Sequence, residues 1–103
     1  MLRDYPPPKE SAVTPDIRHD PVARRFDVIV DGSLCELDYT LDHGVMTITH
    51  TGVPEAVGGR GLAGALVRTA MDTARAEGWK VVPACSYAAA WVQRHPEYDD
   101  LHA

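Results

Sequence analysis

Between Gly52 and Gly61 the hydrophobic period of this chain changes from that of a strand to that of a helix. Four glycines and Pro54 interrupt the sequence there. Upstream, apolar residues alternate with polar ones. Phe26, Val28 and Val30 alternate with Arg25, Asp27 and Asp31, the pattern of a half-buried strand that begins by about residue 24. Asp31-Gly32 is a hairpin signal. Leu34 opens a second run, with Cys35, Leu37, Tyr39 and Leu41 on one face and Glu36, Asp38 and Thr40 on the other. Asp42-His43-Gly44 reads as a further turn, and Val45 to Thr51 as a third β-rich run. These runs predict an antiparallel meander.

Downstream the period is helical. Leu62, Leu66, Ala70 and Ala74 form one stripe, widened by Ala63, Val67 and Met71. Arg68, Asp72 and Arg75 sit on the polar side at spacings that allow pairing along the helix. Gly78 is a natural stop. Trp79, Val81 and Val82 give a short strand before Pro83. Ser86 is the expected cap of a last helix running from Tyr87 to about Arg94, Pro96 ends it, and the closing EYDDLHA is acidic. Trp79 and Trp91 read as packing residues. The order is three strands, a glycine-rich loop, a helix, a strand and a helix. A helix that crosses over between two strands makes those strands parallel. The fold class is α/β (α+β), a small mixed sheet with helices packed on it.

The 103 residues suffice for one core. No apolar run approaches the roughly 20 residues of a membrane helix, and the opening MLRDYPPPKE lacks the pattern of a secretory signal. The two cysteines stand 50 positions apart and do not form a disulfide scaffold. A cytoplasmic protein without a membrane partner is the expectation. With 10 basic and 15 acidic residues and no basic run, a nucleic-acid partner is not expected either. Half of the eight prolines fall in residues 1–15. That stretch reads as a flexible Pro-rich tail before a domain over residues 16–103.

Val57-Gly58-Gly59-Arg60-Gly61-Leu62-Ala63-Gly64 lies between a strand and a helix. Glycines let a ligand approach the backbone, and a helix N-terminus offers unpaired N–H groups and positive partial charge. That suits a pyrophosphate. No Gly-Lys-Ser/Thr follows, so this is not a P-loop. The meander before it argues against a dinucleotide-binding unit. On glycine spacing alone, a plain helix-start turn explains the loop as well.

The run from Val53 to Tyr98 resembles the core of a GCN5-related N-acetyltransferase, and in particular its short members of about a hundred residues. His50-Thr51-Gly52-Val53-Pro54-Glu55, Pro83-Ala84-Cys85 and Arg94-His95-Pro96-Glu97-Tyr98 carry the likeness, which spans about Asp16 to Asp100. It implies a minimal acetyltransferase fold: a twisted, mostly antiparallel sheet split by a coenzyme A cleft, with two main helices. It implies acetyl-CoA as co-substrate and an amine acceptor, with no metal. The family's Arg/Gln-x-x-Gly-x-Gly/Ala loop falls on Gly58, Gly61 and Ala63. Gly58 departs from it, and a backbone amide or Arg60 is then expected to substitute. The cofactor-binding set implied is Thr51, Gly52 and Val53 along the pantetheine, Gly58, Gly59, Arg60, Gly61, Leu62, Ala63 and Gly64 at the pyrophosphate, and Ser86, Tyr87, Arg94 and His95 along the last helix.

In the short members the Pro-x-Cys cysteine, here Cys85, is the suspected catalytic residue and the His of the first motif, His50, a second candidate. A thiolate attacks a thioester readily, and an adjacent helix N-terminus favours that form. His50 is a base either for Cys85 or for the acceptor amine. The plain alternatives stay open: Cys85 as a small core residue, His50 as a strand-end histidine. Cys35, on the apolar face, reads as core. Tyr87 and Tyr98 are read as proton donors to the leaving thiolate or as packing aromatics. Little chain precedes the first strand to build an acceptor pocket. The acceptor is then a protein lysine or N-terminus on an open groove, or a second copy in a homodimer completes the site. Otherwise the chain is an acyl-CoA-binding sensor or interaction module with little turnover.

Overall fold

Alternation becomes a sheet because each strand has one apolar face to bury. A computed structural model of the chain describes residues 16–103, so the tail expected over residues 1–15 lies outside the described residues. Five strands pair in sequence order: β1 (Arg18–Asp20), β2 (Arg25–Val30), β3 (Ser33–Asp42), β4 (Val45–Gly52) and β5 (Lys80–Pro83). The first four are antiparallel, and β4 and β5 are parallel as the crossover demands. The crossover is helix α1 (Leu62–Glu77), and helix α2 (Ser86–Gln93) follows β5. The mixed sheet with two main helices matches the expected fold class.

Phe26, Cys35, Leu37, Met46 and Ile48 from the strands are fully buried against Leu66, Val67, Ala70 and Ala74 of α1. Burial raises the pKa of the Cys35 thiol, which fits its place in the core. Trp91 of α2 and Tyr98 and Leu101 beyond it join the same cluster. Both helices therefore lie on one face of the sheet. On the other face Arg25, Glu36 and Asp38 are only half-buried and Thr40 is exposed.

Three expectations need correction. The sheet begins with β1, before residue 24. A three-residue edge strand shows no periodicity. What holds it is His19, stacked on Phe26 at 4.1 Å between ring centroids and sharing a 2.7 Å hydrogen bond with the Tyr39 hydroxyl. Second, Ser86 is not the cap of α2. Cys85 is, its Sγ accepting from the Ala88 N–H at 3.4 Å. Third, the acidic ending is not merely a polar tail. Pro96–Leu101 forms a 3-10 helix with Tyr98 and Leu101 buried. The polar side of α1 serves this segment. Arg68 donates to the Tyr98 hydroxyl, Tyr98 donates to Asp72 at 2.6 Å, and Arg75 pairs with Asp100 at 2.8 Å. The final residues bridge to Val81 at the free edge of β5.

His19 makes one acid-sensitive contact. Burial is the largest influence on its imidazole and lowers its pKa, against the charges of Glu77 and Asp20. The unfolded chain therefore takes up this proton first. The contribution to stability is complete above the ordinary imidazole value and is lost as the pH falls through that value towards the folded one. Urea unfolding midpoints should drop on the acid side of neutrality, and by less in His19→Phe. Equal acid losses in the two proteins would remove His19 as the cause.

Candidate active site

The register of β4 creates the cleft. Val45 to Ile48 pair with Lys80 to Pro83 of β5. Beyond Ile48 the two strands part, because the Ala84 and Cys85 N–H groups both turn to the Ile48 carbonyl at 3.0 Å and the chain swings into α2. The end of β4, Thr49 to Gly52, runs on and pairs only with β3. Its outer edge is open to a ligand with amide groups of its own, which can hydrogen-bond there as another strand would. Thr49 is the extra residue of a β-bulge in β4 at this place, opposite the Asp38/Tyr39 step of β3.

The glycine loop lies above this opening. A short 3-10 turn, Glu55–Val57, anchors it through buried Val57. Gly59 and Gly61 then take φ of 79° and 78°, a region that disfavours residues with a Cβ. Gly61 is the N-cap of α1, and no side chain caps that end. Gly58 to Gly61 are exposed. The first-turn amide groups of α1 and about half a positive charge from its dipole thus face an open site. Ala63 and Leu62 sit in that first turn, Leu62 with its side chain buried.

Two expected substitutes for the missing Arg/Gln side chain are otherwise engaged. The Gly58 N–H donates to the Glu55 carbonyl at 3.0 Å. Arg60 pairs with Asp31, on the β2–β3 turn, at 2.7 Å; both are exposed, so the pair is weak. Gly64 serves packing. A Cβ there would stand 3.3 Å from the Tyr87 hydroxyl and 3.4 Å from Trp91 Nε1, so the glycine lets α2 approach α1. Tyr87 remains partly exposed beside the α1 N-terminal turn.

Cys85 lies where the strands part. Its thiol donates to the Thr51 hydroxyl at 3.6 Å while its sulfur accepts from Ala88. The structure does not bring His50 to it. Residues paired across antiparallel strands share a face. Thr51 is opposite Leu37, which is fully buried under the helices, whereas His50 is opposite Asp38. Thr51 and Cys85 thus belong to the helix side and His50 to the helix-free side.

The sequence reading overlooked what surrounds His50. Its Nε2 is 3.6 Å from Glu36 Oε2, and Arg25 joins Glu36 at 3.4 Å and Asp38 at 2.8 Å. The alternation in β3 put Glu36 and Asp38 on one face, but only the register shows which histidine and arginine meet them. Ligand atoms of Glu36, Asp38 and His50 lie within 4.8 Å of one another, and the Arg25 guanidinium already supplies the positive charge there.

Farther along, Arg94 is exposed at the end of α2, while His95 stacks on Trp91 at 3.7 Å and its Nδ1 donates to the Trp91 carbonyl at 2.7 Å. That bond holds the ring against α2. The Tyr98 hydroxyl is committed to Asp72 and Arg68. Burial first, then the Asp72 carboxylate, raises its pKa. A groove of about 560 Å³ at the β1–β2 edge is lined by Asp16, Ile17, Arg18, Asp27, Ile29 and Leu34 among others, none of them a residue of the cleft.

A parallel strand pair that parts beside a glycine-capped helix N-terminus leaves an open cleft with free backbone groups along it. The comparisons with known proteins identify the class. Residues 25–101 match the model of the GCN5-related N-acetyltransferase family, and the chain belongs to that family. It is an acetyltransferase by fold and family. The chain is also similar to a GCN5-like protein from Staphylococcus aureus solved in solution by NMR. The two superpose with a TM-score of 0.70 at 26% identity, over 87% of this chain and 89% of that one. No curated protein matches the chain significantly. Among the described residues no helix is long and apolar enough to cross a membrane.

Proposed function

We propose that the protein transfers the acetyl group of acetyl-CoA to an amine, a protein lysine or N-terminus, by way of Cys85. The observation that carries this reading is the parting of β4 and β5 beside the uncapped N-terminus of α1. In this reading the pyrophosphate sits on the amide groups of Gly59 to Ala63, and the pantetheine pairs with the free edge of Thr51 to Val53. The thioester then enters the opening next to Cys85. Cys85 Sγ attacks the thioester carbonyl carbon. The new carbon–sulfur bond forms on Cys85, the bond to the CoA sulfur breaks, and CoA leaves with the thiol proton.

A CoA-binding sensor with little turnover is the second reading. The observation favouring it is the loop: Gly58 replaces an ordering side chain, and Arg60 is held by Asp31. Calorimetric titration with CoA, paired with intact-protein mass spectrometry after mixing with acetyl-CoA, separates the two. Binding with an acetyl increment that hydroxylamine removes is the expected result. Binding without an increment favours the sensor. An absence of binding sinks both.

A further inference from the structure

We infer that Asp31 competes with the phosphates of coenzyme A for Arg60. The carboxylate holds the guanidinium until CoA binds, and binding exchanges that ion pair for one with the phosphates. The inference rests on the acetyl-CoA reading above and adds to it a residue, outside the loop, that sets the affinity of the site.

The fold first decides where Asp31 stands. β3 and β4 are antiparallel, with Glu36 opposite Gly52. The β2–β3 turn precedes Glu36 in the chain, so it lies at the end of the sheet where β4 runs on into the cleft. Asp31 and Gly32 form that turn, with φ of 50° and 78°. Two successive residues at positive φ make the tight reversal that suits a hairpin, and the short Asp31 side chain is held at one place by it. Arg60 comes from the other side. It stands between Gly59 and Gly61, both at positive φ, and is the only basic residue from Thr51 to Val67. Apart from the partial charge of the α1 dipole, all the positive charge this loop can bring to a phosphate is on that side chain. Its Nη1 donates to Asp31 Oδ2 at 2.7 Å.

The solvent around the pair makes the exchange possible. The Arg60 and Asp31 side chains are 49% and 68% exposed, and an ion pair in water is weak enough to open. A phosphate seated on the first-turn amide groups is the stronger partner, because a guanidinium can bind two of its oxygens at once. Asp31 also acts directly. The chain carries a net charge of −5, and a carboxylate beside the loop repels an incoming anion. Both effects have the same sign: Asp31 weakens CoA binding. As CoA leaves, the carboxylate takes Arg60 back. Asp31 is therefore a positioning residue that works through Arg60.

The test is calorimetric titration of the whole chain with CoA at low salt, in a cycle of four proteins: wild type, Asp31→Asn, Arg60→Ala and the double variant. Asparagine accepts positive φ, so the turn is kept. An exposed ion pair is worth a factor of about two to five, and Asp31→Asn should bind CoA tighter by that much. Asp31→Gly, which also fits the turn, should do the same. In the Arg60→Ala background the gain should be smaller, because only the direct repulsion is left to remove. A purely structural ion pair would give the opposite result, with looser binding once it is broken. Unchanged or weaker binding in Asp31→Asn and Asp31→Gly overturns the inference. An equal gain with and without Arg60 overturns it too, since Asp31 would then be only a nearby charge. Either result leaves the CoA site standing. If neither wild type nor Asp31→Asn binds CoA, the acetyl-CoA reading itself fails, and the inference with it.

Discussion

Cys85→Ser should abolish the acetyl adduct on the protein and reduce amine acetylation to background while leaving unfolding almost unchanged. The argument turns on the two roles the sulfur fills. As a cap, it accepts the Ala88 N–H at the start of α2. As a nucleophile, on the proposed route, it accepts the acetyl group. A serine hydroxyl is the better cap and a much weaker nucleophile. Cys85→Ala removes both roles and should cost stability at the low end of the about 0.5–2 kcal/mol range for lost caps, since sulfur is a weak acceptor. The order of melting temperatures should therefore be Ser at or above wild type and Ala below it, with both variants free of adduct. A serine variant that transfers acetyl at the wild-type rate would show direct transfer from CoA and leave Cys85 as a cap only. Thr51, at 3.6 Å from the thiol, offers a companion: Thr51→Val should keep the adduct and slow its formation.

The separation of His50 from Cys85 changes how the motif in this chain is read. In sequence, a cysteine and a histidine that share a cleft suggest a thiol and its base. The register places them on opposite sides of the β4 end, one under the helices and one on the open face. Each residue then has its own surroundings: the α2 N-terminus for the sulfur, Glu36 for the imidazole. Neither needs the other.

Much of this was legible beforehand, for identifiable reasons. The period-two runs fixed β2, β3 and β4, because each strand has one face to bury. The helical stripe from Leu62 and the crossover rule gave α1 and the parallel β4–β5 pair. What escaped detection depends on contacts distant in sequence. β1 is three residues long, and His19, an aromatic ring with a polar tip, holds it. The closing segment looks polar, yet Tyr98 and Leu101 bury themselves once Arg68, Asp72 and Arg75 supply partners. At the cleft the residue types were visible but not their directions. The motif did not show that Gly64 also lets α2 approach α1, or that Arg60 stands beside Asp31.

Trp91→Ala is expected to have the largest effect on folding. The indole is 4% exposed and fastens three parts of the molecule. It stacks on His95, leans on Tyr98 at 5.5 Å between centroids and carries the Arg68 guanidinium at 5.2 Å. Its Nε1 also lies against the bare face of Gly64. Removing a buried indole costs about 3–5 kcal/mol, and each kcal/mol lowers the melting temperature of a domain this size by about 4–8 °C. A fall of more than about 12 °C should follow. The consequence reaches the site because α2 begins at Cys85. Once α2 is free to shift on α1, the sulfur and the α1 N-terminus lose their fixed separation, and added CoA should restore less of the melting temperature than it adds to wild type. Trp91→Phe, which keeps the stack on His95, should lose less than half as much. A change of only a few degrees in Trp91→Ala would mean that the helix pair is held chiefly by the aliphatic core beneath it.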